Sequence, residues 1–209
     1  MALQSRDFYR HRAKRAVDLV LSTLSLPVLV PLIAILYFAV RLDGGAGFFG
    51  HSRVGRDGVL FRCWKLRTMV PDAQQRLDRL LEEDPVSRAE WERDRKLRED
   101  PRITWFGNFL RRTSLDELPQ ILNVLKGEMS LIGPRPVTVP ELERYHRYKW
   151  VYLSLRPGIT GLWQVSGRNN VSYDTRVQMD AAYFQGLSFL SDIRILFQTV
   201  GVLFARTGR

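Results

Sequence analysis

The feature of this 209-residue chain that most constrains its fold is an apolar segment near the start. Residues 16–40 form a run of 25 residues with a single charge, Asp18. About 20 apolar residues are enough for a helix to cross the hydrocarbon core of a bilayer. Pro27 and Pro31 lie near the middle of the run, where prolines break or kink a helix. The sequence therefore predicts a membrane segment with a break at its centre.

The charges that flank this segment predict its topology. Basic residues lie on both sides of it: Arg6, Arg10, Arg12, Lys14 and Arg15 before it, and Arg41, Arg53 and Arg56 after it. Basic flanks stay preferentially on the cytoplasmic side of a membrane. A segment that enters the membrane, bends at the prolines and returns to the same face agrees with both observations. An ordinary kinked helix that spans the bilayer is the alternative, since prolines do occur in such helices.

The overall charge and the cysteine content narrow the class of protein. A formal net charge of +10 indicates an anionic partner, which could be nucleic acid, a membrane surface or a phosphorylated substrate. The single cysteine, Cys63, excludes an internal disulfide and is predicted to be a small core residue. No group of cysteines and histidines has the spacing of a zinc site.

Beyond the membrane segment, residues 44–209 are predicted to form one compact cytoplasmic domain. Residues 48–54 and 59–66 alternate as two strands would, and Arg56-Asp57-Gly58 between them indicates a hairpin. Together with residues 1–43, which hold the basic N-terminus and the re-entrant helix–break–helix, this gives a predominantly helical α+β protein with a small β-hairpin.

The rest of the domain is predicted to be helical. Residues 72–99 indicate one or two exposed helices broken near Pro85. The last segment carries an apolar stripe flanked by arginines, which is typical of a core helix or of an amphipathic helix on a membrane surface. Further helices are predicted over residues 105–111, 140–150, 172–185 and 189–206.

The stretch with the most distinctive chemistry is residues 111–136. It holds adjacent carboxylates, Asp116 and Glu117, preceded by two arginines and followed by a Gly-Pro-Arg-Pro turn. Pro119 favours a helix that starts at about Glu117, with Asp116 as its N-cap. The competing register has Ser114 as the cap and Glu117 completing a capping box. Taken alone, Asp116 could be only a helix cap, but nearby cations beside a carboxylate pair suit phosphate chemistry.

Four ordered motifs run through the second half of the chain. They are Ser114-Leu-Asp-Glu-Leu-Pro-Gln, Asn123-Val-Leu-Lys-Gly-Glu-Met-Ser, Gly133-Pro-Arg-Pro and Arg156-Pro-Gly-Ile-Thr-Gly. Together they resemble the bacterial sugar transferases, monotopic phosphoglycosyl transferases that load a sugar phosphate onto polyprenyl phosphate. The resemblance extends over nearly the whole chain, and it implies that the acidic pair is catalytic.

The resemblance also implies a mechanism and a set of site residues. Asp116 would attack a UDP-sugar to give an aspartyl-phosphosugar, and Glu117 would bind Mg²⁺ together with Asp116 or orient the attack. The residues expected to bind substrate or its phosphates are Arg53, Lys65, Arg67, Arg111, Arg112, Arg135, Arg156, Gln164, Arg168 and Asn169.

The expected partners and location follow from the same resemblance. The partners are a UDP-sugar, polyprenyl (undecaprenyl) phosphate and membrane lipids, with no nucleic acid, and a homodimer is left open. The protein is expected in the inner (cytoplasmic) membrane with its catalytic domain facing the cytoplasm. The sugar, the polyprenol and the glycan pathway are not specified by the sequence.

Three positions depart from the pattern of the family. His51 stands where the family usually has Gln, and Gly186 stands where it often has Asn. Val30-Pro31 takes the place of the Ser-Pro pair that usually carries the break in the membrane helix.

Two other functions fit the composition. A non-enzymatic, basic membrane-anchored module could bind anionic lipid or nucleic acid, and its binding would weaken steeply with salt. A spanning anchor with an inert domain would explain the apolar segment alone. Turnover that depends on Mg²⁺ and on the two carboxylates would distinguish the enzyme from both.

Overall fold

The computed structural model describes residues 8–94, 97–166 and 171–204. A π-helical turn, Tyr9–Ala13, leads into helix α1, Lys14–Arg41, of 28 residues. The predicted break is absent, because α1 continues through both Pro27 and Pro31. A proline removes only its own N–H from the helical hydrogen bonds and displaces one carbonyl, so a helix can continue through it with a bend.

One face of α1 packs against the rest of the protein at both ends of the helix. Near the start, Asp18 is buried, and its Oδ1 accepts a 3.1 Å hydrogen bond from the backbone N–H of Leu131. Near the end, Leu36 and Val40 are buried against Leu66 and its neighbours. The helix therefore lies along the domain instead of projecting from it.

The opposite face of α1 is apolar and exposed. Both prolines lie on it, with the large side chains Leu19, Val20, Leu24, Val28, Val30, Ile35 and Phe38. By length and composition, α1 is the one helix among the described residues that could cross a membrane. A contiguous apolar surface of this extent is unusual on a soluble monomer, and it marks an interaction site.

A two-stranded antiparallel sheet follows α1 and confirms the predicted hairpin. Strand β1, Phe48–Val54, pairs with strand β2, Leu60–Leu66, and a 3₁₀ turn at Arg56–Gly58 connects them. Cys63 is buried on β2, as predicted.

The next three helices agree with the sequence analysis. Helix α2, Ala73–Glu83, and helix α3, Pro85–Asp94, are separated at the predicted proline. Helix α4, Trp105–Thr113, begins where the side chain of Thr104 accepts a 2.8 Å hydrogen bond from the N–H of Gly107. This N-cap satisfies one of the free N–H groups of the first turn.

Two of the sequence motifs meet as a pair of short parallel strands. Helix α5, Gln120–Lys126, is followed by strand β3, Ser130–Ile132, which pairs with strand β4, Gly158–Thr160. A Cβ atom placed on Gly158 would lie 2.1 Å from the backbone nitrogen of Gly133. Only glycine allows this approach, so both glycines have a structural reason to be present.

The helix predicted over residues 140–150 is not continuous. Helix α6, Val139–Glu143, ends before a 3₁₀ turn at His146–Tyr148, and helix α7, Lys149–Leu153, begins after it. His146 has a φ of 44°, in the left-handed region, which a continuous right-handed helix cannot contain.

The C-terminal part of the described chain is helical, as predicted for its last two helices, whereas the short helix at Leu162–Ser166 was not predicted. Helix α8, Leu162–Ser166, is followed by helix α9, Tyr173–Gly186, and helix α10, Phe189–Phe204. Asp192 of α10 joins this part to the start of α1, because its Oδ2 accepts hydrogen bonds from Tyr9 (2.8 Å) and Lys14 (2.6 Å). Its Oδ1 accepts a third from Tyr183 (2.7 Å).

Candidate active site

The acidic pair lies on a 3₁₀ turn, Leu115–Glu117, between α4 and α5. Ser114 turns the chain there with a φ of 58°, and Pro119 occupies the position before α5. Asp116 is therefore not the N-cap of a helix, which corrects our prediction. The turn instead buries Asp116 to 7% exposure, which is unusual for a carboxylate.

Lys65 lies beside both carboxylates. Its Nζ is 2.6 Å from Oε1 of Glu117 and 3.9 Å from Oδ2 of Asp116. Strand β2 presents Lys65 on the same face as Cys63, since alternate residues of a strand share a face. The ammonium group of Lys65 thus forms ion pairs with both carboxylates, and the shorter one is with Glu117.

The two carboxyl groups have pKa values shifted in opposite directions. Burial raises the pKa of Asp116 to about 6, against the lowering effect of Lys65 and with a raising effect from Glu117. Burial also opposes ionisation of Glu117, but Lys65 and Arg135 outweigh it and hold the pKa of that carboxyl below its usual range. Glu117 is therefore the firmly charged member, and Asp116 is the member that titrates nearer to neutrality.

An open cleft of about 290 Å³ lies next to the pair. Its lining is rich in cations and amides: Arg53, Cys63, Lys65, Glu117, Gln120, Arg135, Pro136, Ile159 and Gln164. A cleft lined by several cations, with a buried acid next to it, suits an anionic ligand.

Besides Glu117, four of the residues predicted to bind substrate line this cleft: Arg53, Lys65, Arg135 and Gln164. Arg53 is held by Glu141 (2.9 Å) and by the carbonyl of Pro136 (3.2 Å). Arg135 is exposed, and no hydrogen bond or ion pair holds it to another described residue. The Nε2 of Gln164 donates to the carbonyl of Ile159, whereas its buried Oε1 has no partner in the described part of the chain.

The two arginines of α4 have different surroundings. Arg111 donates a 2.9 Å hydrogen bond from Nε to Thr68, and its charge acts on Asp116. Arg112 is exposed and contacts no acid among the described residues. The structure therefore places Arg111, and not Arg112, with the acidic pair.

Arg67 does not reach the cleft. Its guanidinium makes five hydrogen bonds, to the carbonyls of Val40, Ala46 and Met69 and to both carboxylate oxygens of Asp43. An arginine side chain has five N–H groups, so none is left for a phosphate. We correct the prediction accordingly: Arg67 clamps the end of α1 to the hairpin.

Arg156 also has a structural contact in place of the predicted one. Its Nε donates a 2.8 Å hydrogen bond to the carbonyl of Gly127, at the end of α5 remote from the acidic turn. Arg15 donates to the carbonyls of Val124 and Leu125 at the same helix end. Both arginines bond carbonyls at the C-terminal end of α5, where carbonyls lack the i+4 partner of the helix interior. The remaining two predicted residues, Arg168 and Asn169, lie outside the described residues.

Two residues of the site were missed by the sequence analysis. Asn123 is fully buried and bonds strand β2 on both sides of Cys63, from Nδ2 to the carbonyl of Arg62 (2.8 Å) and from the N–H of Trp64 to Oδ1 (3.1 Å). It thus fixes the strand that carries Lys65 against the helix next to the acidic pair. Glu141, which holds Arg53, could have been found from its capping box with Thr138.

The donor set of the site bears on the expected metal. No group of three or more His, Cys, Asp or Glu side chains that could hold a metal ion occurs among residues 8–94, 97–166 and 171–204. Mg²⁺ commonly binds through one or two carboxylates together with substrate phosphates. Adjacent carboxylates on one turn fit that mode of binding, in which a diphosphate supplies the other oxygens.

Comparison with known proteins identifies relatives along almost the whole chain. The family described as "Bacterial sugar transferase" matches residues 9–206. The chain is 54% identical to a UDP-galactose-lipid carrier transferase of Erwinia amylovora and 54% identical to an undecaprenyl-phosphate galactose phosphotransferase of Salmonella typhimurium. Each match covers 93% of this chain but 41% of the relative, so the chain spans about two fifths of their length.

A shorter relative matches over most of its own length. The chain is 47% identical to an exopolysaccharide production protein of Sinorhizobium fredii, over 90% of this chain and 84% of that protein.

Proposed function

The chain belongs to the bacterial sugar transferase family, and on that basis we propose that it transfers a sugar 1-phosphate from a UDP-sugar to polyprenyl phosphate. The acceptor is undecaprenyl phosphate and the product is the polyprenyl-diphosphate sugar, made for the assembly of a polysaccharide or glycoconjugate. The observation that carries the proposal is Asp116, a buried carboxylate beside Glu117 and Lys65, which both line a cationic cleft. The names of the relatives supply the substrates.

Asp116 is the nucleophile in this proposal. An oxygen of its carboxylate forms a bond to the phosphorus that carries the sugar, and the bond from that phosphorus to the UMP oxygen breaks with its electron pair. An oxygen of the lipid phosphate then attacks the same phosphorus and releases the Asp116 carboxylate. Two displacements let one site serve a soluble and a lipid substrate in turn.

The residues around Asp116 have supporting roles. Lys65 holds Glu117 charged and favours the ionised form of Asp116. Arg53, Arg111 and Arg135 would neutralise phosphate oxygens as charge develops on the leaving group. Mg²⁺ would be held by Glu117 and Asp116 and would neutralise part of the charge of the diphosphate.

The proposal is tested by incubating the full chain with UDP-sugars and undecaprenyl phosphate and measuring UMP release. UDP-galactose is the first donor to test, because two relatives are named for galactose. With a donor and no lipid, intact-protein mass spectrometry should show a phosphosugar adduct. If no UDP-sugar in the panel gives UMP or an adduct, the proposed function is wrong.

Activity is expected to require a divalent metal, and Glu117→Gln is expected to lose roughly 100-fold or more of it. The reason is that a carboxylate pair repels a diphosphate unless a cation stands between them. UMP release is measured in excess EDTA and again after Mg²⁺ is restored. Glu143→Gln is the matched control, since Glu143 is an exposed residue paired with Lys149. Full turnover in EDTA would contradict a metal role.

We infer that α1 enters the membrane without crossing it, so that the protein is monotopic on the cytoplasmic face of the inner membrane. Both ends of α1 are bonded to the same domain, through Lys14 and Asp192 at the start and through Val40 and Arg67 at the end. A helix that spanned the bilayer in this arrangement would draw the charged domain into the hydrocarbon. The exposed apolar face would instead lie in one leaflet.

This topology predicts that both flanks of α1 are reached from the cytoplasm only. Ser5→Cys and Ala46→Cys are introduced singly in a Cys63→Ser background and labelled with an impermeant maleimide. Both positions are expected to be protected in intact cells and labelled after permeabilisation. Labelling of position 5 in intact cells, with position 46 protected, would establish a spanning helix and reject the inference.

A further inference from the structure

One face of the β1–β2 hairpin leads from the membrane side of the protein to the cleft. Side chains alternate along a strand, so Phe49, His51 and Arg53 share this face. The register places Lys65 opposite Phe49 and Cys63 opposite His51. Arg53, Cys63 and Lys65 line the cleft. His51 therefore lies at the edge of the cleft, between an aromatic and a cationic side chain.

The Phe49 end of this face is next to the apolar helix. The ring of Phe48 lies 4.8 Å from that of Tyr37 in α1, and Phe49 itself is 53% exposed. Beyond β2, Arg67 binds the last turn of α1. Because Lys65 lies opposite Phe49, a lipid whose tail lies beside α1 would meet Phe49 and Lys65 first and then His51, the next side chain on this face of β1.

The imidazole of His51 is available for a ligand. The side chain is exposed and stacks on Phe49 at 6.1 Å and 19°. Neither ring nitrogen has a hydrogen-bond partner among the described residues. The stacking on Phe49 leaves both ring nitrogens open, and a protonated imidazole can donate a hydrogen bond from either nitrogen to a phosphate oxygen.

The charges that face His51 make it responsive to an anion. Partial burial and the positive charges of Arg53, on its own strand, and Lys65, on β2, lower the pKa of the imidazole. Glu141 on α6 acts in the opposite direction, but its carboxylate is already paired with Arg53. The thiol of Cys63 faces His51 across the sheet, and burial raises its pKa, so it stays neutral. The free imidazole is therefore neutral near pH 7, and a bound phosphate dianion would favour its protonation.

We propose that His51 binds the phosphate of the polyprenyl acceptor and takes up a proton from solvent as that phosphate arrives. This inference rests on the proposed function and concerns its second displacement only. The protonated imidazole donates a charge-assisted hydrogen bond to the phosphate monoester at the edge of the cleft, once the lipid has passed Phe49. The affinity for the acceptor should then fall as pH rises, because the proton is less available.

The test separates the two substrates and the two steps. The full chain is reconstituted in phosphatidylethanolamine–phosphatidylglycerol nanodiscs, and KM is measured for undecaprenyl phosphate and for the UDP-sugar between pH 6.0 and 8.5. The variants are His51→Gln, a neutral donor at every pH, and His51→Lys, a cation at every pH. His146→Gln is the matched control, because the 3₁₀ turn that carries it is not part of the cleft.

His51→Gln is expected to raise KM for undecaprenyl phosphate about tenfold at pH 6.0, which corresponds to one charge-assisted hydrogen bond. Toward pH 8.5 the acceptor KM of His51→Gln and that of wild type should become equal. The acceptor KM of His51→Lys should stay low at every pH. KM for the UDP-sugar and the rate of adduct formation should change less than the acceptor KM in both variants. The lipid phosphate itself titrates in this range, since its second pKa is about 6. Dividing the acceptor KM of each variant by that of wild type at the same pH cancels this effect.

Two results would overturn the inference. One is an acceptor KM in His51→Gln that equals that of wild type at every pH. The other is an equal loss for both substrates, which would mean a general disturbance of the cleft. If wild-type protein forms no adduct with any UDP-sugar, the proposed transferase function is wrong. This result differs from either of the two that would reject only the role of His51.

Discussion

Asp116→Asn is expected to abolish UMP release, by at least about 1,000-fold, and to give no phosphosugar adduct in intact-protein mass spectrometry. An amide has no carboxylate oxygen with which to displace UMP, so the first step cannot occur. Near-normal turnover in this variant would reject Asp116 as the nucleophile, whatever the fate of the other residues.

The same variant should fold at least as well as wild type. The pKa of Asp116 is raised in the fold to about 6, so the group binds more protons folded than unfolded between its two pKa values. Its charge therefore lowers the stability as pH rises from the unfolded pKa to about 6, and the loss persists above it. A neutral amide removes that cost. We expect a Tm at pH 8 equal to or above that of wild type, with Asp57→Asn, on the exposed hairpin turn, as the matched control.

Lys65→Met is expected to lower the rate of adduct formation at pH 7 on the order of 100-fold, and to shift its pH dependence upward. Lys65 favours the charged forms of both Asp116 and Glu117. Without it, burial and mutual repulsion raise the pKa of Asp116 further, so a smaller fraction of the nucleophile is ionised at neutral pH. Wild type should lose rate as pH falls through about 6, and the variant should lose it at a higher pH.

The measurement is the single-turnover rate of UMP release without lipid between pH 5 and 9. Lys149→Met provides the control for removal of an amine, since Lys149 pairs with Glu143 at the surface. Partial recovery of the Lys65→Met rate at pH 9 would identify an electrostatic effect on Asp116. A loss of the same size at every pH would mean that Lys65 acts only by contacting the substrate.

Local rules recovered much of the fold from the sequence. The hairpin, the break between α2 and α3 and the start of α4 each depend on a short-range signal, such as a turn residue, a proline or a cap. The prediction of a break at Pro27 and Pro31 was wrong because the domain supports α1 along one face. Such tertiary packing outweighs a local helix breaker. The positive φ at His146 has only a weak local signal, since His adopts positive φ more often than most residues but far less often than Gly.

The site was predictable to the extent that its motifs were long and specific. Asp116, Glu117, Lys65, Arg53 and Arg135 were named from the sequence, and the structure brings them together. Arg67 and Arg156 show the limit of such reasoning. Both were predicted as site residues from the family resemblance, yet their N–H groups bond backbone carbonyls. A sequence shows that an arginine is required, but only the structure shows whether its partner is a ligand or the chain itself.

The attachment of α1 to the domain at both ends affects how the rate of the second displacement depends on acceptor concentration. Asp192 bonds the start of the helix and Arg67 bonds its last turn, so the helix cannot tilt independently of the domain. In the proposed topology this would fix the height of Asp116 relative to the lipid phosphates, and the search for the acceptor would be confined to two dimensions. The second displacement should then follow the surface density of acceptor in the bilayer, in the sense of an effective concentration. Diluting the membrane with other lipid would slow it, whereas diluting the suspension with buffer would not.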